Sequence, residues 1–354
     1  MTALADNDAS GELLEQVGQA LAGNTPLLIQ GGNSKAFLGR MSAGEVLDTR
    51  GHRGIVSYDP TELVVTVRAG TPLAELLATL DAAGQMLACE PPAFGDGATV
   101  GGMVATGLSG PRRPWAGSVR DFVLGSRVIT GTGKLLRFGG EVMKNVAGYD
   151  LSRLLVGSYG CLGVLTEVSL KVLPKPRQCL SLSLEMDSAK ALARLADWGQ
   201  QPLPISAASH DDQRLHLRLE GGEGSVTAAR ERLGGEPLAA DYWANLNEQR
   251  LAFFDEGLPL WRLSLPNNTG LLELPGQQLI DWAGAQRWLK SAAPAERIRD
   301  LASRVGGHAT CYSHGLVDSP FQPLPAVLLR YHRQLKAQLD PQGIFNPGRL
   351  YAEL

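Results

Sequence analysis

The chain is poor in the features that identify the commonest kinds of site. Its four cysteines, Cys89, Cys161, Cys179 and Cys311, share no C-x-x-C spacing, so it offers no iron–sulfur or structural zinc framework. They read as reduced, buried thiols. No G-x-G-x-x-G opens a helix after a strand, which leaves a Rossmann site unsupported. Gly133-Lys134 is followed by Leu135 and lacks the preceding glycine of a Walker A loop. A formal net charge of −3, with no Lys/Arg block, removes the electrostatic footprint of nucleic acid or an anionic membrane. The uncharged run 97–111 is too short and too glycine-rich to span a bilayer, and residues 1–11 hold no hydrophobic signal core. These absences predict a soluble, cytoplasmic protein without a transmembrane segment, one that reaches the inner membrane only through partners.

What the chain has instead is glycine in ordered clusters. Sixteen of its forty-two glycines fall between Gly95 and Gly163, and they are not scattered. One run is Gly97-Ala-Thr-Val-Gly101-Gly102-Met-Val-Ala-Thr106-Gly107-Leu-Ser109-Gly110, and another is Gly157-Ser-Tyr-Gly160-Cys-Leu-Gly163-Val164. Glycine lets a backbone approach a ligand and present consecutive N–H groups, which suits a phosphate-bearing cofactor. A flexible linker would lack the interleaved Val, Met, Leu and Thr. A shorter run, Gly31-Gly32-Asn33-Ser34-Lys35, follows an apolar strand at 26–29, and two such loops suit a diphosphate clamped from both sides.

Hydrophobic periodicity arranges the rest. The spacing predicts a helix over 10–22 capped by Ser10, a strand at 63–67, and a helix begun by Thr71 as N-cap with Pro72 in its first turn and ended at Gly84. Strands at 123–130 and 134–138 flank a Gly131-Thr-Gly133 turn, and another covers 164–172 before the stiff Pro174-Lys-Pro176. After residue 176 the order changes: strand 180–186, helix 188–200, strand 215–219, a mostly helical stretch at 221–255, strand 258–265, helix 294–305, strand 308–312. That is β-α-β twice, the order of a ferredoxin-like sandwich. A proline-rich crossing at 319–325 and a helix at 326–339 lead to an ordered tail. The expected fold is α+β: residues 1–176 form a domain built on two small sheets with the glycine loops between them, residues 177–325 a smaller ferredoxin-like domain, and residues 326–354 a C-terminal segment.

The motifs and their order resemble a known family. Gly31-Gly32-Asn33-Ser34, Glu90-Pro91-Pro92 with Thr99-Val-Gly101-Gly102, Lys144-Asn145-Val-Ala-Gly148-Tyr149-Asp150-Leu151, Gly160-Cys-Leu-Gly163-Val-Leu-Thr166-Glu167 and Phe345-Asn346-Pro347-Gly348 are similar to those of the FAD-linked oxidases of the vanillyl-alcohol-oxidase (PCMH) type. The likeness covers residues 25–176 and the last fifteen. It implies that 1–176 is a PCMH-type FAD-binding domain holding FAD between two subdomains, that 177–325 is a ferredoxin-like cap over the flavin, and that 326–354 returns to the FAD-binding domain. Carried over residue by residue, Gly31, Gly32, Asn33, Ser34 and Lys35 would bind the pyrophosphate. Pro91, Pro92, Thr99, Gly101, Gly102, Thr106 and Gly110 would follow the diphosphate, ribityl chain and flavin. Gly160, Gly163 and Val164 would hold the adenine side, and Asn346 would reach back to the isoalloxazine. Gly160 and Gly163 equally suit tight strand packing, and Asn346 a turn before proline. Where many relatives have a histidine that bonds FAD covalently, this chain has Asn33, so the FAD is expected to be non-covalent. Met103 stands where many relatives continue a Gly-Gly-Asn.

The same resemblance implies an FAD-dependent oxidoreductase acting on the CH–OH group of a small 2-hydroxy acid. More narrowly, it implies a redox subunit of a glycolate-oxidising complex that works with a catalytic FAD subunit and an iron–sulfur subunit. A non-catalytic, FAD-containing assembly subunit is the rival reading. A self-sufficient D-lactate-type dehydrogenase is a third, opposed by the lack of the H-x-H pair and G-D-G-N-type run found in longer relatives. Such chemistry needs a base and a cation for the carboxylate. Alternation in Leu260-Trp261-Arg262-Leu263-Ser264 puts Arg262 on the face opposite Trp261, where it either meets a carboxylate or faces solvent. Tyr149 and His308 are weaker base candidates, and no residue is assigned as catalytic. His308, Cys311 and His314 cluster without a fourth ligand, so no metal is expected.

Overall fold

A computed structural model describes residues 6–141, 149–255 and 257–354, and divides the chain into two units. The first holds residues up to Ser109, then Gly117–Pro174 and Pro323–Leu354. The second holds Gly110–Ala116 and Lys175–Gln322. The main divisions follow Pro174 and Gln322, and residues 110–116 leave the first unit before the chain returns to it. The run from Lys144 to Gly148, part of the family likeness, lies outside the described residues.

The first unit is built from strands β1 (Leu27–Gln30), β2 (Glu45–Asp48), β3 (Ile55–Asp59), β4 (Val64–Arg68), β5 (Gln85–Met86), β6 (Val123–Ile129), β7 (Leu135–Gly139), β8 (Val164–Lys171) and β9 (Leu173–Pro174). β3, β4, β8, β6 and β7 form an antiparallel five-stranded sheet in that order. β1 and β2 pair in parallel, and the tail joins them: Leu27 N–H donates to Ile344 O at 2.7 Å and Asn346 N–H to Leu27 O at 3.0 Å. Helix Ser10–Gly23 lays Leu13 and Val17 on a core shared by Leu27, Leu47, Ile129, Val164 and Phe345. Its N-cap is Ala9, not Ser10, and the next helix, Leu73–Ala82, is capped at Pro72. Thr71 is displaced from capping because its hydroxyl accepts from Gly54 N–H at 2.9 Å.

The second unit carries β10 (Gln178–Glu185), β11 (Ile205–His210), β12 (Arg214–Gly221), β13 (Glu236–Pro237), β14 (Leu260–Ser264), β15 (Gln277–Asp281), β16 (Gln286–Lys290) and β17 (His308–Cys311) in one sheet. The order is β13-β10-β12-β11-β15-β16-β14-β17. Numbered within its own half, each set of four runs 4-1-3-2 from its outer edge, the ferredoxin-like order, so the unit is two such halves joined at His210↔Ile280. The first half carries helices Ser188–Trp198 and Glu223–Leu233 in its crossovers. In the second, helix Ala295–Arg304 precedes β17, while the crossover at 265–276 has no helix. The expected single ferredoxin-like unit of four strands supplies β10, β12, β14 and β17; β11, β13, β15 and β16 are further strands, and they turn one such unit into two.

Candidate functional site

The glycine loops of the first unit meet around a cleft. β1 delivers the chain to Gly31 and Gly32, which press directly on the second loop. A Cβ on Gly32 would lie 1.3 Å from Gly97 O, and one on Gly31 2.2 Å from Thr99 Oγ1. The glycine requirement here is set first by loop-on-loop packing. Asn33 takes a left-handed φ of 58°. Ser34 Oγ donates to Ala93 O at 2.7 Å, and Lys35 Nζ donates to the same carbonyl at 3.0 Å while lying 5.8 Å from the centre of the Phe94 ring. Ser34 and Lys35 thereby tie the first loop to the chain that follows the buried Pro91 and Pro92.

Thr99 caps helix Val100–Thr106 by accepting from Gly102 N–H at 3.2 Å. Gly101 is packed tightly: its N–H donates to Ala69 O at 2.7 Å, and a Cβ would lie 2.8 Å from Ala69 Cβ. Gly102 is open, since the nearest atom to a Cβ there would be the capping Thr99 Oγ1 at 3.2 Å. Thr106 turns its hydroxyl back onto Gly102 O at 2.8 Å. Gly31, Gly101, Gly102 and Ala105 form one wall of the cleft.

The opposite wall is Ser158, Tyr159, Gly160 and Gly163. Asn346 sits between wall and strand: its Oδ1 accepts from Ile29 N–H at 2.7 Å and its Nδ2 donates to Tyr159 O at 2.6 Å. Its amide thus braces the cleft. Gly160 has φ 74°, and a Cβ there would lie 2.6 Å from Asn346 Nδ2. Gly163 would meet Val128 Cγ1 at 2.7 Å, and Val164 is fully buried in the core below.

A buried lysine holds the tail in place. Lys336 Nζ donates to Cys161 O at 2.8 Å, to Phe345 O at 2.7 Å and to Asp340 Oδ2 at 2.7 Å. Asp340 in turn accepts from the N–H groups of Ile344 and Phe345. Burial pushes the Cys161 thiol up to about 11 despite the nearby ammonium, so it stays a thiol at neutral pH. The sequence signal for this latch was slight, because a lysine and an aspartate four apart on a helix ordinarily mark its solvent face.

The remaining candidates lie elsewhere. Gly110 begins the second unit's short segment, where its carbonyl accepts from Trp282 Nε1 at 3.0 Å. Tyr149 is 98% exposed. Arg262 and His308 belong to the second unit, on adjacent strands of one sheet face. The Arg262 guanidinium lies 5.5 Å from the centre of the Tyr312 ring. Burial, reinforced by Arg262, pulls His308 below its ordinary value, which keeps it neutral. None of the four lines the cleft.

The cleft lining consists of glycine, small and apolar residues, Thr49, Ser158, Tyr159 and Asn346, with no carboxylate, imidazole or ammonium among it. Such a wall can hold a flat, polar ligand by backbone contact and hydroxyls, but brings no group that changes charge near pH 7. Among the described residues no group of His, Cys, Asp and Glu is placed to hold a metal, and no helix is long and apolar enough to cross a membrane.

Comparison with known proteins bears on this cleft. A family model described as an FAD binding domain matches residues 8–139. The chain is 64% identical over 351 residues to "Glycolate oxidase subunit GlcE" of Escherichia coli (strain K12), covering 99% of this chain and 100% of that protein. It is 35% identical over 138 residues to "Glycolate oxidase subunit GlcD" of Bacillus subtilis (strain 168), covering 38% of this chain and 29% of that one. In fold it is similar to a solved alkyldihydroxyacetonephosphate synthase, with a TM-score of 0.67 at 18% identity over 96% of this chain and 75% of that one.

Proposed function

The chain belongs to the FAD-binding family of the glycolate oxidase subunits, and from that premise we propose that it is an FAD-binding redox subunit of a glycolate oxidase. In this role it takes part in oxidising glycolate, a 2-hydroxy acid, to glyoxylate, and its electrons pass to partner subunits. The observation that carries the reading is the whole-length likeness to a subunit of that name, on a chain whose glycine loops form a cleft. When bound, FAD supplies the hydride-accepting chemistry. The residues that fit it are backbone-rich: Gly31, Gly101, Gly160 and Gly163 let the cleft's walls pack where a Cβ would strike neighbouring atoms, Gly102 leaves its backbone open, and Thr49, Ser158 and Tyr159 offer hydroxyls. Asn346 holds the two walls at fixed separation. Asn33 offers no imidazole for a covalent link, so the FAD is held non-covalently and acid precipitation should release it into the supernatant.

The cleft's lack of an acid–base group points to chemistry shared with other chains, namely a catalytic FAD subunit and an iron–sulfur subunit. The same lack keeps a second reading in play, in which this chain's FAD serves assembly alone. A Gly102→Val chain, built into the complex without its flavin, separates the two. If turnover of glycolate falls at least tenfold while the complex still assembles, the flavin lies on the electron route. Unchanged turnover assigns it to assembly. Robust dye reduction by the isolated chain with glycolate or D-lactate would overturn both.

A further inference from the structure

Helix Ala326–Leu339 is apolar on both sides. Its inward face is made of Leu329, His332, Leu335, Leu339 and the buried Lys336. Its outward face carries Val327, Leu328 and Tyr331, which are 58%, 47% and 55% exposed. These positions follow i, i+1, i+4, one stripe on the helix surface. Monomers seldom leave such a stripe uncovered.

The exposed charges that the helix itself brings beside the stripe are Arg330 and Arg333, and residues 323–339 hold no Asp or Glu, in a chain whose formal net charge is −3. The Arg330 guanidinium lies 5.2 Å from the centre of the Tyr331 ring. Arg333 stands 3.9 Å from Glu353, a distance at which it retains solvent contact. We infer that this stripe is the docking surface for another subunit of the oxidase, one presenting an apolar face rimmed by carboxylates. Aromatic and arginine side chains side by side are the residues that carry binding energy at protein interfaces. An anionic bilayer is the poorer match, because its recognition takes clusters of about 4–8 Lys/Arg.

This inference rests on the proposed function, since it takes the chain to be one subunit of several. The test is co-expression with the catalytic FAD subunit and the iron–sulfur subunit, followed by size-exclusion chromatography with light scattering. The wild-type chain should co-elute with its partners. Leu328→Asp/Tyr331→Asp should lose co-elution while the isolated variant keeps its flavin content and melting curve. Arg330→Glu, an exposed single change, should weaken association about tenfold and make it less salt-sensitive. If the wild-type chain fails to co-elute, the functional reading falls. If it co-elutes and the variants do so equally, the surface is wrong. Self-association of the wild type that the variants abolish would make the occupant a second copy. Binding to phosphatidylcholine/phosphatidylglycerol vesicles that the variants abolish would make it a membrane. Either result overturns the inference.

Discussion

The two units hold irregular chain in place with different emphasis. In the first, around the cleft, glycine lets backbone rest on backbone: Gly32 on Gly97, Gly70 on Thr49, Gly101 on Ala69, with Lys336 clamping the tail. In the second, glycine contacts such as Gly276 on Lys290 persist, but arginine fills most of the gaps. Arg287, wholly buried, donates to the carbonyls of Gly284, Thr269 and Gly270, and Arg299 reaches Ser319 and Phe321. Arg112 and Arg218 close on Glu220. The means differ in what they leave over. Glycine packing leaves loop edges bare, and a ligand can lie against them. Arginine forks use up the carbonyls they touch, which gives a braced scaffold.

All six tryptophans lie in the second unit, while the cleft lies in the first, so indole emission and flavin content report on the two separately. The largest expected effect is in the first. Gly32→Ala places a methyl 1.3 Å from Gly97 O, so the loops must part: flavin content should fall below about a tenth, with a loss of about 3 kcal/mol in stability. Gly102→Val, with only Thr99 Oγ1 near it, should lose flavin with little change in melting. If both variants melt alike, packing is not what sets Gly32 apart.

Arg287→Met should have the mirror effect. It strips three carbonyls of their donor and should cost about 3 kcal/mol in urea unfolding followed by tryptophan emission, with flavin retained in the native state. Burial draws this arginine down to about 10, still cationic at neutral pH. Flavin loss in step with the emission change would show that the units do not differ as described.

The smallest effect is one of pH. Burial alone would raise Glu220, but the hydrogen bond from Arg112 and the charge of Arg218 hold it below its ordinary 4.5. A carboxylate lowered on folding adds stability that is complete above its unfolded value and lost as pH falls through the folded one. Below about pH 4.5 the melting temperature read by tryptophan should therefore drop by about 2–4 °C before flavin is released. An unchanged melting temperature between about pH 5 and pH 3 would remove Glu220 from the account.

The sequence made the first unit far more legible than the second. Its strands alternate or run apolar, and its glycines sit in clusters, so both sheet and cleft could be placed. β11 (Ile-Ser-Ala-Ala-Ser-His) and β16 (Gln-Arg-Trp-Leu-Lys) are buried at every position, polar ones included, so no period of two marks them. β15, between Pro275 and the 3₁₀ turn at Trp282, is polar at both ends. At the site, the motifs placed the loops but not the partners. Asn346 was expected to reach the isoalloxazine; it lines the cleft, and its amide also bonds Ile29 and Tyr159, contacts invisible at such separations in sequence. Lys336 was passed over because nothing local distinguishes a buried lysine from a solvated one.

The Asn346 bridge also sets a timetable for the ribosome. Ile29 emerges early in synthesis, and the side chain that braces it follows 317 residues later. Until then one wall of the cleft has no fixed distance from the other. Lys336, which pins Phe345 and Cys161, is nearly as late. A nascent chain can therefore fold its sheets as they appear, yet the cleft stays unbraced until residue 346 has been made. A chain cut short before that residue should carry less flavin than one that includes it, so the colour of the protein reports that the far end of the chain has folded back.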